Sequence, residues 1–434
     1  MKKKKLSLKM PAGYNRYIHA AVLILNLFGV LMIISASMKA DANIGSLMFI
    51  GAKEMGFVVV SYVGMVFTAR MFNFKWAQKY SRIITGGIIV MLLLPILMGY
   101  SAGGARAWIS IGPITIQPSE FAKVWIIILI ALRLGDKDRV RIAKMRDLIT
   151  EPLAIVMVMV FIVTILQKDL GSAVVILGIS YICFLVPSNR RLTRLQQVMM
   201  ILMLIGVIFL IILDTEGGLA FISKTLESMG VHPYMLGRLQ SSANPFADRY
   251  GDGYQLFMGL VAMVQGLESG FFGKGYGNSV NKYGYLPEAQ TDFILAIVVE
   301  ELGVFGILVI VIGYGTVLYN TLKYSILVKL ERDKILLIGA ASYIMIHFIF
   351  NVGGVTGLIP LTGVPLLFIS AGDQVVSRLC WRLDWSKMLS VVITSNRKCS
   401  SKRKSWRSNH ENCSRNARFT CFKNPKREYH TPNI

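Results

Sequence analysis

Runs of roughly 17–25 residues nearly free of charge recur along this chain, the length that carries an α-helix across about 30 Å of hydrocarbon. They fall at 17–37, 53–71, 83–100, 119–133, 152–167, 172–187, 198–213, 293–319 and 335–352. The run at 53–71 is the weakest, because Lys53 and Glu54 stand at its edge. Hydrophobic residues make up 54% of the 434 and charged residues only 16%, against about a quarter charged in soluble domains. The pattern predicts an all-α polytopic membrane protein. The first run follows MKKKKLSLKM. It is too long for the apolar core of a cleavable signal and reads as the first span.

Lys and Arg in short loops orient such a chain. Six precede the first span, four lie in 70–82, six in 133–147, three in 189–194 and four in 323–334, while the alternate short loops carry one or two each. The N-terminus is therefore expected in the cytoplasm, and the long segment 214–290 outside. Loops of that length are usually functional or disordered. Its aromatics, among them Tyr234, Tyr250, Tyr254 and Phe272, argue for an ordered loop lying on the membrane.

Composition breaks at Asp373. The last 62 residues hold 14 Lys/Arg against four Asp/Glu, and four of the five cysteines. Nine spans would place this basic tail outside, against the orientation rule. The cysteine spacings fit no usual metal site. Reading the codons of 372–392 from the third base of each, with permitted synonyms, yields a run of small and apolar residues long enough for a tenth span. A one-nucleotide frameshift after Gly372 is the reading adopted, and no function is assigned to the tail at 373–434. The domain division is thus a basic N-terminus at 1–16, a membrane domain at 17–372 and this tail.

Four expected outer stretches combine polar residues with spans. In GGARAWISIGPITIQPSEFAK, Arg106 is the sole basic residue before the span, and its guanidinium suits phosphate; Glu120 opens the span where a helix dipole favours an acid. It serves there as a cap or as part of a site. The corner QKDLG places Lys168 beside Asp169, either neutralising each other or presenting an ammonium to an anionic headgroup. In GRLQSSANPFADRYGDGYQ, Arg238, Arg249 and Gln255 could bind sugar or phosphate, although the same composition describes ordinary turns. The fourth stretch, YGYLPEAQTDFILAIVVEELG (283–303), carries Glu288, Asp292, Glu300 and Glu301. An acid at mid-bilayer costs about 2.5–3.5 kcal/mol on insertion scales and marks a functional site by default. Pro287 predicts a helix start, with Glu288 and Asp292 four apart on one face. Asp292 then sits at the membrane boundary, a place suited to a general base or to a cap.

Together these stretches resemble the FtsW/RodA/SpoVE (SEDS) family of cell-wall polymerases. The resemblance runs to Gly372 through GARAWISIGPITIQPSEFAK, QKDLGSA, NPFADRYGDGYQ, FFGKGYGNS, YLPEAQTDFILAIVVEELG and GGVTGLIPLTGVPLLFIS, and is closer to the FtsW branch. It implies a ten-helix glycosyltransferase that polymerises lipid II, the undecaprenyl-pyrophosphate-linked disaccharide peptide, on the outer face of the cytoplasmic membrane. The implied partners are a class B penicillin-binding protein and divisome or elongasome proteins; no nucleic acid is expected. By motif, Asp292 is the catalytic carboxylate. Arg106, Lys168, Asp169, Arg238, Gln255 and Glu288 are substrate-binding candidates, with Glu120, Glu300 and Glu301 as support or packing. No metal-ligand cluster is evident and the sequence names no cofactor for certain, although a divalent cation (Mg or Mn) could assist. Gln290 stands where histidine is common in the family, and Lys168 where the corner often differs. Two other readings stay open: a lipid II flippase, which should carry charges deep in several spans, and a non-catalytic scaffold for the transpeptidase.

Overall fold

The computed structural model describes residues 15–38, 43–71, 74–98, 105–111, 114–136, 140, 145–213, 246, 249–251 and 253–371. Each of the nine apolar runs contains a helix. In chain order they are α1 (Arg16–Ala36), α2 (Ile44–Met71), a short α3 (Phe74–Lys79), α4 (Ser81–Met98), α5 (Pro118–Leu134), α6 (Met145–Phe161), α7 (Leu170–Leu185) and α8 (Thr193–Leu213). There follow α9 (Tyr254–Glu268), α10 (Ile294–Leu327) and α11 (Glu331–Val355). Among the described residues six helices are long and apolar enough to cross a membrane, and α7 and part of α8 are shorter apolar segments. The protein is an all-α, multi-pass membrane protein. Its one sheet among the described residues is a hairpin of β1 (Ile109–Ile111) and β2 (Ile114–Ile116), antiparallel with Ile109 opposite Ile116.

Local chemistry sets several starts. Asn15 caps α1, its side-chain oxygen accepting from the amides of Tyr17 (2.8 Å) and Ile18 (3.4 Å). Pro118 occupies the first turn of α5, where its missing N–H is no loss. Between α6 and α7 the chain widens into a π-turn, Ile162–Leu166, closed by the Gln167 amide on the Ile162 carbonyl at 3.0 Å. Such turns are rare and concentrate at functional sites.

α5 is the axis of the bundle. Every residue from Pro118 to Leu134 except Phe121 is buried, packed against α4, α6, α7 and α11. Protein rather than lipid surrounds it, so it can carry Glu120, Lys123 and Arg133 inside. Lys123 pairs with Glu120 at 2.7 Å, Arg133 with Glu151 of α6 at 2.6 Å, and the Trp125 indole donates to Thr85 of α4 at 2.8 Å. α10 forms the second seam, against α1, α9 and α11. By contrast α8 exposes Val198 and the run Met200–Ile205 nearly all round, as a helix facing hydrocarbon does.

Three expectations from the sequence change. The second span begins at Ile44, so Lys53 and Glu54 lie inside α2 rather than at its edge, and Glu54 is buried. The segment 214–290 contains α9, packed on α10. The helix expected from Pro287 begins at Ile294 instead; residues 281–293 form consecutive turns, and Glu288 is left-handed at φ 53°. Glu288 and Asp292 therefore do not share a helical face. Arg238, the expected tenth span and the tail at 373–434 lie outside the described residues.

Candidate active site

Asp292 stands two residues ahead of α10, half-buried, and followed by a fully buried Phe293. What holds it is long-range. The buried Asn351, in the last turns of α11, donates from Nδ2 to the Asp292 carbonyl at 2.8 Å and to the Val364 carbonyl at 2.9 Å. The neighbouring Gln290 carbonyl accepts the Ala371 amide at 2.7 Å, and its side chain accepts Ser37 Oγ at 2.9 Å. The turns at 281–293 are thus stitched to α1, α11 and the irregular segment 356–371. That segment comes up to the carboxylate itself. A Cβ added at Gly363, where φ is +66°, would stand 3.3 Å from Asp292 Oδ2.

The corner between α6 and α7 meets the same turn. A Cβ on Gly171 would be 2.4 Å from the Thr362 carbonyl oxygen, so only glycine permits the approach. Asp169 caps α7 by accepting the Ser172 amide at 3.0 Å, and its other oxygen accepts Gln117 Nε2 at 2.9 Å. Gln117 and Ser119 also reach Ser172 Oγ, each at 3.2 Å. Lys168 is exposed and left-handed at φ 58°. The Gln167 carbonyl accepts the Arg106 amide at 2.8 Å, which places the exposed Arg106 beside Lys168. Arg106, Lys168, Asp169, the turn 362–364 and Asp292 therefore form one continuous rim. Glu288 joins it through Thr291, whose hydroxyl donates to Glu288 Oε2 at 2.7 Å; Gln255 touches the Pro287 carbonyl at 3.4 Å.

The remaining acids are elsewhere. Glu120 does not cap α5; N-cap Gln117 makes no side-chain cap bond, and Glu120 turns inward to Lys123 and to the Tyr343 hydroxyl at 2.6 Å. Glu300 and Glu301 are fully buried in a clasp that fastens the loop 270–282 to α10. Glu300 takes Lys274 (2.7 Å), Ser279 Oγ (2.5 Å), Asn281 (2.9 Å) and the Val280 amide (3.2 Å). Glu301 takes Lys282 (3.0 Å), both oxygens within 2.7 Å of Ser35 Oγ on α1, and the Ser279 amide (3.3 Å). Next to it α10 kinks at Gly303, φ 57°, where Gly273 presses on its backbone. Burial, and secondarily Glu301, push the Tyr276 phenol above its ordinary range.

Sequence reading passed over Asn351, Gln117, Gly363, Lys274 and Lys282. The two lysines had a usable signal, cations in a loop adjoining tandem buried acids; the neutral amides had none. No cluster of three or more His, Cys, Asp or Glu able to hold a metal occurs among the described residues.

Comparison with known proteins shows the family and the fold. The family model described as "Cell cycle protein" (FtsW/RodA/SpoVE) matches residues 15–380. The chain is 31% identical over 355 residues to stage V sporulation protein E of Bacillus subtilis, covering 81% of this chain and 90% of that one. It is 33% identical over 393 residues to the probable peptidoglycan glycosyltransferase FtsW of Shewanella sediminis, covering 89% and 88%. Among solved structures, a chain from a work described as structural coordination of polymerization and crosslinking by a peptidoglycan synthase complex superposes with TM-score 0.65 at 19% identity, over 88% of this chain and 98% of that one. The rod shape determining protein RodA of Thermus thermophilus superposes with TM-score 0.58 at 18% identity, over 88% of this chain and 97% of that one. These two share the fold.

Proposed function

The chain belongs to the FtsW/RodA/SpoVE family, and from that premise we propose that it is a peptidoglycan glycosyltransferase that polymerises lipid II. The observation that carries the reading is the rim itself: a half-buried carboxylate, Asp292, joined through the turn 362–364 to the corner bearing Lys168 and Arg106. Asp292 removes the proton from the 4-hydroxyl of the acceptor sugar. The freed oxygen pair forms a bond to the anomeric carbon of the donor strand. The bond from that carbon to the pyrophosphate oxygen breaks, and the lipid pyrophosphate leaves with its electron pair. Arg106 and Lys168, with Arg238, bind the departing charge, the role preorganised cations play at such centres. Gln255 and Glu288 are assigned to the sugar hydroxyls, a role supported by their contacts with the turns that carry Asp292. A divalent cation could share the pyrophosphate, but no step is assigned to it.

The relatives carry mostly FtsW names, which favours a role in division over elongation. The complex described for the structural neighbour supports pairing with a class B penicillin-binding protein that cross-links the strands. The basic loops support an N-terminus in the cytoplasm, so that the rim faces outward. The composition change after Gly372 supports a frameshift, which sequencing of that codon region would test; a verified, unshifted frame removes it.

The deciding assay is lipid II polymerisation by the full chain with its cognate transpeptidase, beside Asp292→Asn. Strands from the unmodified chain alone establish the reading. Equal strands from both make Asp292 a structural cap. No strands from either folded protein turn the assignment toward a flippase or scaffold.

A further inference from the structure

We propose that Asn351 is the positioning residue for Asp292, fixing where the carboxylate stands relative to the corner that bears Lys168. The inference rests on the assignment of Asp292 as the base. Asn351 is 3% exposed. Its amide group has two N–H donors at a fixed angle in one plane, and both are spent on backbone, one on the Asp292 carbonyl and one on the Val364 carbonyl. A single side chain from α11 thus ties Asp292, two residues before α10, to the turn 362–364. The turn touches the carboxylate at Gly363 and the corner at Gly171. The chain of contacts runs from Asn351 through two carbonyls to both halves of the rim.

No helical bond could do this work, because Asp292 precedes the first turn of α10 and Val364 lies in irregular chain. Most side chains of similar size would not serve. Aspartate has no donor when ionised, serine has one, and leucine, of similar size, has none. The Asn351 Oδ1 atom is buried without a hydrogen-bond partner. The side chain is therefore held by its donors, the two bonds that meet the rim. A residue kept for packing alone would not leave a buried acceptor unmet while spending both donors on carbonyls.

The test compares steady-state lipid II polymerisation by the full chain with its transpeptidase for wild type, Asn351→Leu, Asn351→Ser and Asp292→Asn, each at equal folded concentration. Misplacing a reacting group by about 1 Å costs on the order of 100-fold in turnover. Asn351→Leu is accordingly expected to lose about 100-fold in kcat, with KM changed by less than about threefold, because substrate contacts are untouched. Asn351→Ser, which keeps one donor, is expected to fall between leucine and wild type. Wild-type kcat in folded Asn351→Leu, or a rise in KM with kcat unchanged, overturns the assignment. So does failure of both Asn351 variants to fold, which makes the residue structural. If Asn351→Leu does not fold but Asn351→Ser does, the serine variant decides on the same kcat criterion. Full activity of Asp292→Asn, or no polymer from the wild type, removes the base and the positioning role together. Inactive Asp292→Asn beside normal Asn351→Leu removes the positioning role alone.

Discussion

Two polar assemblies lie at the end of the bundle where α10 begins, and they are built on opposite terms. In the clasp, Glu300 and Glu301 are fully buried, and each carboxylate is met by a lysine and by hydroxyl, amide or backbone donors. Along the rim the cations Arg106 and Lys168 are exposed, Asp292 is half-buried, and Gln167 Oε1 and Thr362 Oγ1 are buried without partners. Two of the three left-handed non-glycine residues among those described, Lys168 and Glu288, also stand there. Unmet polar atoms and backbone strain persist where the surroundings over-determine them, and they gather at working sites. The acids in and around α10 are thus not one kind of thing. Those in the clasp are fully buried and hold the loop 270–282 to the helix, whereas Asp292 stands half-buried on the rim, ahead of the helix.

The sharpest break of this contrast is to neutralise one acid from each assembly. Asp292→Asn is expected to lower polymerisation by at least about 1,000-fold, toward the upper end of what general-base catalysis supplies, while the melting temperature stays close to wild type. Glu301→Gln should do the reverse. It leaves the fully buried Lys282 ammonium without its counter-charge, and breaking such a pair costs about 3–5 kcal/mol. Thermal unfolding in detergent would show that loss, and turnover per folded molecule should fall far less than in Asp292→Asn. Replacing both partners with apolar residues, Glu301→Leu with Lys282→Leu, should recover much of the stability. If Glu301→Gln instead melts normally and loses turnover, the clasp belongs to the chemistry.

Between these lies Gly363→Ala. The position has φ +66° and room for a Cβ only 3.3 Å from Asp292 Oδ2. A non-glycine residue in that region costs about 1 kcal/mol or more of stability, and the methyl would push on the carboxylate. The expected result is a loss of about tenfold in kcat, by the same sensitivity to placement that governs Asn351, with a fall in melting temperature of a few degrees. An unchanged kcat would separate the turn 362–364 from the reacting centre.

The spans were legible because a membrane helix announces itself by length and lack of charge, and each apolar run holds one. Asp292 stood out for the complementary reason, a charge at the mouth of a run that has few. The start of α10 was misread because Pro287 is a sound local signal overridden at a distance: Asn351, Ala371 and Ser37 hold 281–293 in turns. The clasp was half legible. Glu300 and Glu301 stood out, but Ser35 meets Glu301 across 266 residues, and nothing in either local sequence names the other. Asn351 and Gln117 were invisible for a plainer reason, since a neutral amide in or just ahead of an apolar helix carries no charge to explain.

The smallest expected effect separates strain from chemistry within one residue. Lys168 combines a backbone that lysine disfavours, φ 58°, with an exposed ammonium beside Arg106. Lys168→Gly should relieve the backbone and stabilise the fold by up to about 1 kcal/mol, offset in part by the greater entropy of glycine in the unfolded chain. The same change removes a cation from the rim, so KM for lipid II should rise severalfold, as expected for an exposed charge contributing about 1 kcal/mol. Lys168→Ala loses the charge but keeps the strain, and should show the rise in KM without the gain in stability. A parallel melt and titration of the two variants reads each term alone. If glycine stabilises and neither variant changes KM, the left-handed corner is strained for its shape, to bring Gly171 against Thr362, and the ammonium takes no part in binding.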